Sequence, residues 1–321
     1  MLPSMNIFFF VPGLSERYKS GGLMVTRDLA DLLDETSHEG CAQTFLVTTH
    51  EESTEALTPK AAFEMASENL QESIFVVTWG PVVGQHIATI RKALPEARIL
   101  YYAQSFGWGV DVPRGIPIVC VSRYVMAQWA LHSKGNGLAY CPPPLSPDFT
   151  PPSPEEERDI DILIHERKQN TYCLETLTPA LEEMSELNVR RISEWIPQAE
   201  FAQLLRRTKL FLYCTAPHKA GWRRVLPGEG FGLPALEAVA SGALVASNLL
   251  GGVTDFLTPG ENCVKVESGD LEEDLGKISA ALSGFVPRYT EATALVRDYS
   301  RGAALKKWRG VLAYFWPDLI Q

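Results

Sequence analysis

Two glutamates in a glycine-rich stretch, Glu229 and Glu237, have the residue type and spacing best suited to chemistry in this sequence. They lie within residues 226–247, LPGEGFGLPALEAVASGALVAS. Pro234 suits a first helical turn and Gly242 suits a helix end, which predicts a loop, a helix over residues 235–241 and a buried strand over residues 243–246. A helix N-terminus reached by a glycine loop attracts anions, because its amides and dipole point outward. Carboxylates beside such a site can accept hydrogen bonds from sugar hydroxyls.

The whole stretch resembles the donor-site signature of retaining glycosyltransferases with the GT-B fold, family 4 type (glycosyl transferases group 1). The matching residues are Glu229, Gly230, Phe231, Gly232, Leu233, Pro234, Glu237 and Gly242. The resemblance implies that Glu229 is a catalytic residue that orients the donor sugar. It also implies that Glu237 holds the ribose hydroxyls and that residues 230–233 line the donor site. The alternative is an ordinary turn between a strand and a helix, with solvated glutamates.

Two adjacent cations, Arg167 and Lys168, follow a predicted strand over residues 160–164. Ligands of parallel sheets bind at the carboxyl ends of the strands, so we expect both cations to face the ligand. The family that the sequence resembles places an arginine and a lysine in this region on the donor diphosphate, usually several residues apart. We therefore assign Arg167 and Lys168 as catalytic residues that stabilise the leaving group. A solvated basic pair is the alternative.

A second basic segment, residues 215–228, precedes Glu229 and is predicted to be a loop. It contains Lys219, Trp222, Arg223 and Arg224. A basic loop with an aromatic residue beside a sugar site is suited to covering the donor or the acceptor. An ordinary charged surface loop explains the same residues, so Arg223 and Arg224 are secondary candidates.

Three further secondary candidates rest on the resemblance. Gly252 and Val253 belong to residues 251–255, Gly-Gly-Val-Thr-Asp, which resemble the family's Gly-Gly-Val-Pro-Glu turn beside the nucleotide. A turn that starts a helix is the alternative. Gln104 follows a predicted strand over residues 99–102, near where many relatives carry a histidine that touches the donor sugar. The glutamine departs from that pattern.

A glycine pair, Gly21 and Gly22, ends a predicted loop over residues 12–22. A buried strand over residues 6–11 precedes this loop, and an amphipathic helix over residues 23–33 follows it. In the family that the sequence resembles, such a pair lets the backbone approach the donor diphosphate, so both glycines are assigned to donor binding. A simple flexible loop is the alternative.

Metal and cofactor chemistry has little support in the sequence. Asp159 and Asp161 form an Asp-x-Asp pattern, which in another class of glycosyltransferases holds a metal. Those aspartates must lie where a strand ends, whereas here they lie at the start of the predicted strand. We therefore expect no metal and no cofactor, with a nucleotide diphosphosugar as co-substrate. The diphosphate then needs protein cations and amide dipoles.

Net charge, the cysteine pattern and the apolar run near the N-terminus restrict the class of protein. The 321 residues carry a formal net charge of −10, which argues against nucleic-acid binding. The six cysteines form no C-x-x-C pair and suggest small core residues in a reducing compartment. The apolar run near the N-terminus is too short for a signal peptide or a membrane span. We expect a cytoplasmic protein and leave open a peripheral position at the inner membrane face.

Apolar strands and helices alternate along the chain, which predicts α/β domains with mostly parallel sheets. Further strands are predicted at residues 44–48, 74–78, 118–121, 209–214 and 262–266, and further helices at 83–94, 123–132, 172–187, 197–207, 270–282 and 301–315. Seven prolines within residues 142–154 mark a stiff linker. The predicted domains are residues 1–150 on the acceptor side and 151–300 on the donor side. The resemblance implies a helix over 301–321 that crosses back, and two Rossmann-like doubly wound domains facing across a crevice.

The sequence thus predicts a metal-independent glycosyltransferase of the hexosyltransferase type. It would move a sugar, with retention of configuration, from a nucleotide diphosphosugar to an acceptor that is a glycan, a lipid or a small molecule. Two alternatives stay open. One is another GT-B enzyme, such as a nucleotide-sugar epimerase or a phosphorylase. The other is a non-catalytic relative that binds sugar nucleotide or a partner enzyme.

Overall fold

The chain divides into two compact units, Met1–Pro144 together with Arg301–Gln321, and Leu145–Ser300. The structure, a computed structural model, describes residues 5–35, 42–78, 80–106, 111–153, 155–216, 218–220, 224–226 and 229–319. The boundary at Pro144 lies inside the proline-rich segment, whose described residues form neither helix nor strand. Proline has no amide hydrogen to donate, so such a run cannot enter a helix interior or a central strand.

The first unit contains a parallel sheet built on a strand of phenylalanines. Its described strands are β1 (Met5–Val11), β2 (Ala42–Thr48), β3 (Ser73–Val77), β4 (Arg98–Ala103), β5 (Ile118–Cys120) and β6 (Leu138–Tyr140). They are ordered β2-β1-β3-β4-β5-β6. Phe8 in β1 is fully buried and stacks on Phe45 and Phe75, with ring centroids 5.2 and 5.1 Å away. The predicted buried parallel strand at residues 6–11 is confirmed.

Helices cover this sheet and bury one apolar face each. The described helices are α1 (Gly21–Glu35), α2 (Pro59–Glu68), α3 (Val83–Ala93) and α4 (Arg123–His132). α1 starts two residues earlier than predicted, so Gly21 and Gly22 are its first residues and not the end of a loop. The prediction missed α2, although Thr58 caps it by accepting the Ala61 amide at 3.2 Å and Pro59 occupies its first turn.

The second unit has its own parallel sheet and a short hairpin. Its described strands are β7 (Ile160–His165), β8 (Val189–Ile192), β9 (Thr208–Leu212), β10 (His218–Ala220), β11 (Arg224–Leu226), β12 (Leu244–Ser247) and β13 (Cys263–Lys265). Five of these strands pair in the order β13-β12-β9-β7-β8, all parallel. The predicted loop at residues 215–228 is wrong, because β10 and β11 pair there as antiparallel strands. Three-residue strands are too short for an alternating pattern to reveal them.

The helices of the second unit follow the prediction with two exceptions: the helix Tyr289–Asp298 was not predicted, and the one predicted over residues 172–187 is irregular. The described helices are α5 (Thr178–Glu182), α6 (Gln198–Arg206), α7 (Leu233–Ala240), α8 (Leu271–Ser283) and α9 (Tyr289–Asp298). The prediction of a regular α-helix over residues 172–187 is wrong, because the first part is not α-helical and the helix ends at Glu182. Cys173–Leu177 form a π-helical turn before the short α5. Pro179 has no amide for the α-helical bond to the carbonyl four residues earlier, which accounts for this irregularity.

The last helix, α10 (Arg301–Phe315), belongs to the first unit. Trp308 is almost fully buried there and packs edge-on against Tyr102, with ring centroids 5.1 Å apart. Arg301 pairs with Glu35 at the end of α1 at 2.9 Å. An aromatic contact in the core and an ion pair at the surface therefore fix α10 on this unit.

Buried free thiols are spread over both units. The described cysteines are Cys120, Cys141, Cys173, Cys214 and Cys263. All five are buried, which confirms the expectation that they are small core residues. Burial raises the pKa of the Cys120 and Cys263 thiols to about 12, so both remain uncharged at neutral pH.

The fold is the predicted α/β class with two parallel-sheet Rossmann-like domains.

Candidate functional site

The strand order of the second unit reverses direction between β7 and β9. From β7 the chain moves to β8 on one side, and it then returns to β9, β12 and β13 on the other side. Open parallel sheets bind ligands outside the carboxyl ends of the strands, where the order reverses. The residues that follow β7 and β9 at this position include Arg167 and Tyr213, and the segment after β9 leads to Glu229.

A buried polar bridge joins the segments that follow β7 and β9. The side chain of Gln169 donates to the Leu212 carbonyl at 2.8 Å and accepts the Cys214 amide at 2.7 Å. Gln169 is 7% exposed, so these bonds satisfy an amide that would otherwise be costly to bury. Gln169 was not among the residues predicted from the sequence.

A second bridge joins the segments that follow β9 and β12. Asn248 donates from its side-chain nitrogen to the Thr215 carbonyl at 3.0 Å, and its side-chain oxygen accepts the Thr215 amide at 3.1 Å. The Thr215 hydroxyl donates to the Leu250 carbonyl at 3.1 Å. Together with Gln169, these contacts connect three neighbouring strand ends beside the predicted donor residues.

The backbone of Glu229 is held by the glycine turn at residues 251–252. Glu229 forms an isolated parallel bridge with Gly251, and the Gly252 amide donates to the Glu229 carbonyl at 2.8 Å. Gly251 has φ +93°, and a Cβ placed there would lie 2.6 Å from the Glu229 nitrogen. Both the backbone conformation and the close approach therefore require glycine at position 251.

This turn changes how Gly252 and Val253 are interpreted. The Gly252 amide is engaged by Glu229, and Val253 is fully buried. A Cβ on Gly252 would lie 2.7 Å from the Cα of Phe231. The two residues support the loop that carries Glu229, and their contact with a nucleotide stays a prediction.

The carboxylate of Glu229 accepts two hydrogen bonds from nearby groups. The Tyr213 hydroxyl donates to Oε2 at 2.8 Å, and the Gly230 amide donates to Oε1 at 3.2 Å. Tyr213 is fully buried immediately after β9. The sequence analysis missed Tyr213, although a tyrosine that ends a buried strand usually requires a hydrogen-bond partner, and that was a usable signal.

Glu237 lies in the second turn of α7 and is 6% exposed. Burial is the largest cause that raises the pKa of Tyr213 well above its usual range, and the charges of Glu229 and Glu237 raise it further. Both carboxylates therefore lie close enough to the Tyr213 hydroxyl to interact with it electrostatically. The two glutamates that the sequence singled out therefore both lie near Tyr213, with Glu237 buried and Glu229 partly exposed.

The loop between Glu229 and α7 is anchored by packing. Phe231 is 5% exposed and contacts Phe256 and Tyr299, with ring centroids 5.4 and 5.7 Å away. Gly232 has φ +94° and precedes Leu233, the first residue of α7. Phe231 is thus a core anchor of the loop, and a direct contact between Phe231 and a donor stays a prediction.

The first turn of α7 offers fewer amides than the sequence led us to expect. Pro234 has no amide hydrogen, and the amides of Ala235 and Leu236 donate to the Gly232 carbonyl at 3.0 and 3.2 Å. These bonds are formed inside the helix. A diphosphate near α7 would consequently depend more on side-chain cations than the sequence alone suggested.

Arg167 and Lys168 belong to a short 3₁₀ turn, Glu166–Lys168, directly after β7. Arg167 is exposed, as expected of a cation that meets a ligand. The preceding Glu166 pairs with Arg191, which reduces the negative charge beside Arg167. The side chain of Lys168 lies outside the described residues, so its role stays a prediction.

Two cations of the predicted loop, Lys219 and Arg224, lie in the strands of the short hairpin. Arg223 lies outside the described residues. Arg224 begins β11, and Lys219 lies in β10. The side chains of both strands also lie outside the described part of the chain, so a role for Arg223 and Arg224 stays a prediction.

In the first unit, Gly22 and Gln104 lie against each other, and Gly21 precedes this contact. Gly21 and Gly22 start α1, and the Ser20 hydroxyl accepts the Leu23 amide at 3.2 Å as a cap. The side-chain nitrogen of Gln104 donates to the Thr26 hydroxyl at 2.9 Å. A Cβ on Gly22 would overlap the Gln104 side-chain oxygen, so glycine makes room for this glutamine. Contact of these three residues with a donor stays a prediction.

The Asp-x-Asp aspartates form ion pairs at the start of β7. Arg207 donates to Asp159 at 2.8 Å, and Lys209 donates to Asp161 at 2.7 Å. Their position at the beginning of the strand is as predicted. Across the described ranges, no three His, Cys, Asp or Glu side chains are grouped as a metal site requires. None of the helices in the described ranges has both the length and the apolar content needed to cross a bilayer.

Comparison with known proteins identifies the fold. No family model and no curated protein sequence matches the chain significantly. Among solved structures, HepE from Anabaena in complex with UDP-glucose has a TM-score of 0.67 and 11% identity, covering 97% of this chain and 100% of its own. Sucrose-phosphate synthase from Thermosynechococcus elongatus has a TM-score of 0.67 and 13% identity, with the same coverage of both chains.

The pneumococcal O-GlcNAc transferase GtfA, in complex with UDP and GlcNAc, gives a similar result. Its TM-score is 0.67 at 10% identity, covering 98% of this chain and 100% of its own. Similarity at such low identity establishes the fold, which is the two-domain α/β GT-B fold that the sequence predicted.

Proposed function

We propose that this protein is a retaining glycosyltransferase that moves a sugar from a uridine diphosphosugar to a carbohydrate or glycoconjugate acceptor without a metal ion. The observation that carries this proposal is the pairing of Glu229 and Glu237 around Tyr213, at the strand ends where a GT-B domain binds its ligand. Three solved structures of similar fold contain UDP, UDP-glucose or UDP with GlcNAc. These ligands make uridine diphosphosugars the first donors to test.

The two glutamates take different roles in this proposal. Glu229 accepts hydrogen bonds from hydroxyls of the donor sugar, and Glu237 accepts them from the ribose. Ionised carboxylates can only accept, and each has about four lone-pair positions, so each can bind a hydroxyl besides its protein partners. The location of Glu229 in a loop and of Glu237 within α7 supports this division.

The leaving diphosphate requires positive charge that the protein as a whole lacks. The net charge of −10 produces a field that opposes an anionic donor, so cations at the site must overcome it. Arg167 and Lys168, directly after β7, are the proposed pair. An arginine fork and a lysine ammonium neutralise the charge that develops as the sugar leaves.

Retention follows if the acceptor attacks from the face on which the diphosphate leaves. The bond between the anomeric carbon and the diphosphate oxygen breaks, the acceptor oxygen bonds to the same carbon, and a phosphate oxygen takes the acceptor proton. Glu229 acts here as a hydrogen-bond acceptor rather than a nucleophile. Its bonds from Tyr213 and Gly230 support this role, because a carboxylate that already accepts two hydrogen bonds is a weaker nucleophile.

The test begins with the donor. Purified protein is screened against nucleotide sugars and free UDP by thermal shift, where a ligand at 100 times its Kd adds about 2.7 kcal/mol of stability. UDP release is then measured with a sugar acceptor panel, and the product anomer is assigned by NMR. We expect binding, turnover without added metal in the presence of chelator, and an unchanged anomeric configuration. Tight donor binding without release of UDP, either to an acceptor or to water, would favour the non-catalytic alternative.

A further inference from the structure

We propose that Tyr213 is a positioning residue that fixes the Glu229 carboxylate for its contact with the donor sugar. This inference rests on the proposed function and adds a residue to that site. Tyr213 does not belong to the glycine-rich motif, and it approaches the motif from a neighbouring strand. The hydrogen bond from its hydroxyl to Glu229 Oε2 is 2.8 Å long.

The ring of Tyr213 is held rigidly. Its amide donates to the Ala246 carbonyl in β12 at 2.8 Å, and its ring stacks on Phe211 with centroids 5.9 Å apart. The side chain is fully buried. A buried ring in fixed packing has little rotational freedom, so the hydroxyl delivers its hydrogen bond from one direction.

Glu229, in contrast, belongs to a glycine-rich loop and has three rotatable side-chain bonds. The Gly252 amide fixes its backbone, but the carboxylate needs its own restraints. Tyr213 binds one oxygen and the Gly230 amide binds the other. Two donors on two oxygens define the plane of the carboxylate and leave further lone pairs on each oxygen for sugar hydroxyls. Preorganised acceptors of this kind cost no reorganisation when the substrate reacts.

The hydroxyl of Tyr213 remains a donor throughout the useful pH range. Burial, followed by the charges of Glu229 and Glu237, raises its pKa well above the usual range. It therefore stays protonated and presents a hydrogen to an environment that contains two carboxylates. Removing it would leave Glu229 with fewer fixed donors beside a second negative charge.

The test compares two variants that each remove one hydroxyl bonded to a carboxylate. Tyr213→Phe deletes the bond to Glu229. Tyr172→Phe is the matched control, because the Tyr172 hydroxyl donates to Asp274 Oδ2 at the same 2.8 Å, and its partly buried ring packs against the core of the same unit. We expect Tyr213→Phe to lower kcat roughly 10- to 100-fold, as for the loss of a hydrogen bond to a charged group. The affinity for free UDP should stay within about twofold. Tyr172→Phe should lower the Tm while leaving kcat near the wild-type value.

The pH dependence of kcat separates positioning from a general structural role. At saturating donor, kcat reports on the ionisable groups of the bound complex. The effect of Glu237 on donor binding therefore contributes less to the pH profile of kcat. A hydrogen bond to a carboxylate favours its charged form, so losing the Tyr213 hydroxyl should move the acid limb of the profile to higher pH. Tyr172→Phe should leave the limb in place. A structural role would lower the whole profile without moving the limb.

The outcomes distinguish this inference from the proposed function. If the wild-type protein releases no UDP from any donor, the proposed function fails and the role of Tyr213 in it fails as well. If the wild-type protein is active and Tyr213→Phe matches Tyr172→Phe in kcat and in pH profile, only the inference is overturned. A lowered kcat with a displaced acid limb supports both.

Discussion

The backbone of Gly251 lies directly against the backbone of Glu229, where a single additional carbon would overlap it. This close approach couples the turn after β12 to the loop before α7, two segments that are 22 positions apart in the sequence (251 − 229). The Gly252 amide strengthens the coupling by its 2.8 Å bond to the Glu229 carbonyl. The position of the proposed catalytic glutamate therefore depends on a turn outside its own motif.

The first prediction concerns this contact. Gly251→Ala should destabilise the protein by about 1–3 kcal/mol or more through backbone strain, and it should also displace Glu229. Gly260→Ala is the matched control, because Gly260 has φ +85° with nothing within 4 Å of an added Cβ. Both variants carry the strain, but only Gly251→Ala should lose transfer activity beyond its loss of stability. Thermal unfolding and UDP-release kinetics measure the two effects. Equal activity of the two folded variants would show that the contact does not position Glu229.

The second prediction separates the two glutamates. Glu237→Gln should weaken binding of free UDP by roughly one to two decades, since a hydrogen bond to a charged group is lost. Glu229→Gln should leave UDP binding nearly unchanged and lower kcat. Titration calorimetry with UDP and steady-state kinetics give the two quantities. If Glu229→Gln abolished UDP binding while Glu237→Gln had no effect, the proposed roles would be reversed.

The third prediction concerns the leaving-group cations. Arg167→Ala and Lys168→Ala should each lower kcat/KM for the donor, and the double variant should be nearly inactive. Screening at physiological salt limits the reach of a charge to about 8 Å, so cations farther from the diphosphate cannot replace the pair. Arg190→Ala in the neighbouring strand β8 is the control, as an exposed cation of the same unit. It should behave like the wild-type protein. Normal donor kinetics in the double variant, with donor affinity lost in Arg223→Ala, would move the phosphate site to the segment before Glu229.

The fourth prediction concerns acid stability of the first unit. Burial, followed by the nearby His50, lowers the pKa of His86 from 6.5 to about 4. Between pH 4 and pH 6.5, His86 is therefore protonated in the unfolded chain and largely neutral in the folded chain. The associated stability is fully present above about pH 6.5 and is lost as pH falls towards 4, with a slope of at most about 1.4 kcal/mol per pH unit.

Urea unfolding between pH 4 and pH 7 measures this slope. His86→Gln should flatten the dependence in that window, because glutamine does not titrate. His132→Gln is the control, since His132 is exposed at the end of α4. A slope unchanged by His86→Gln would assign the acid sensitivity to other groups.

Residue patterns alone were enough to predict the α/β class, the buried strands and the candidate glutamates. β1 is recognisable because a run of apolar residues must be buried on both faces, which is typical of a central parallel strand. α7 is recognisable because Pro234 and Gly242 mark its ends through their own backbone preferences. These signals are local, since each depends on residues within one or two turns of chain. The regular α-helix expected over residues 172–187 was wrong because its π-helical turn depends on a single proline and on packing.

The residues that surround Glu229 could not be predicted, because the fold brings them together from separate segments. Tyr213 reaches it from the end of β9, and Gly251 and Gly252 reach it from the turn after β12. Sheet order brings these segments together, and the order depends on which strands pair across long stretches of chain. Residue patterns indicate burial and periodicity within one segment, but they do not indicate which other segment it pairs with. The motif could therefore be found from the sequence, whereas its hydrogen-bond donors and its steric support required the fold.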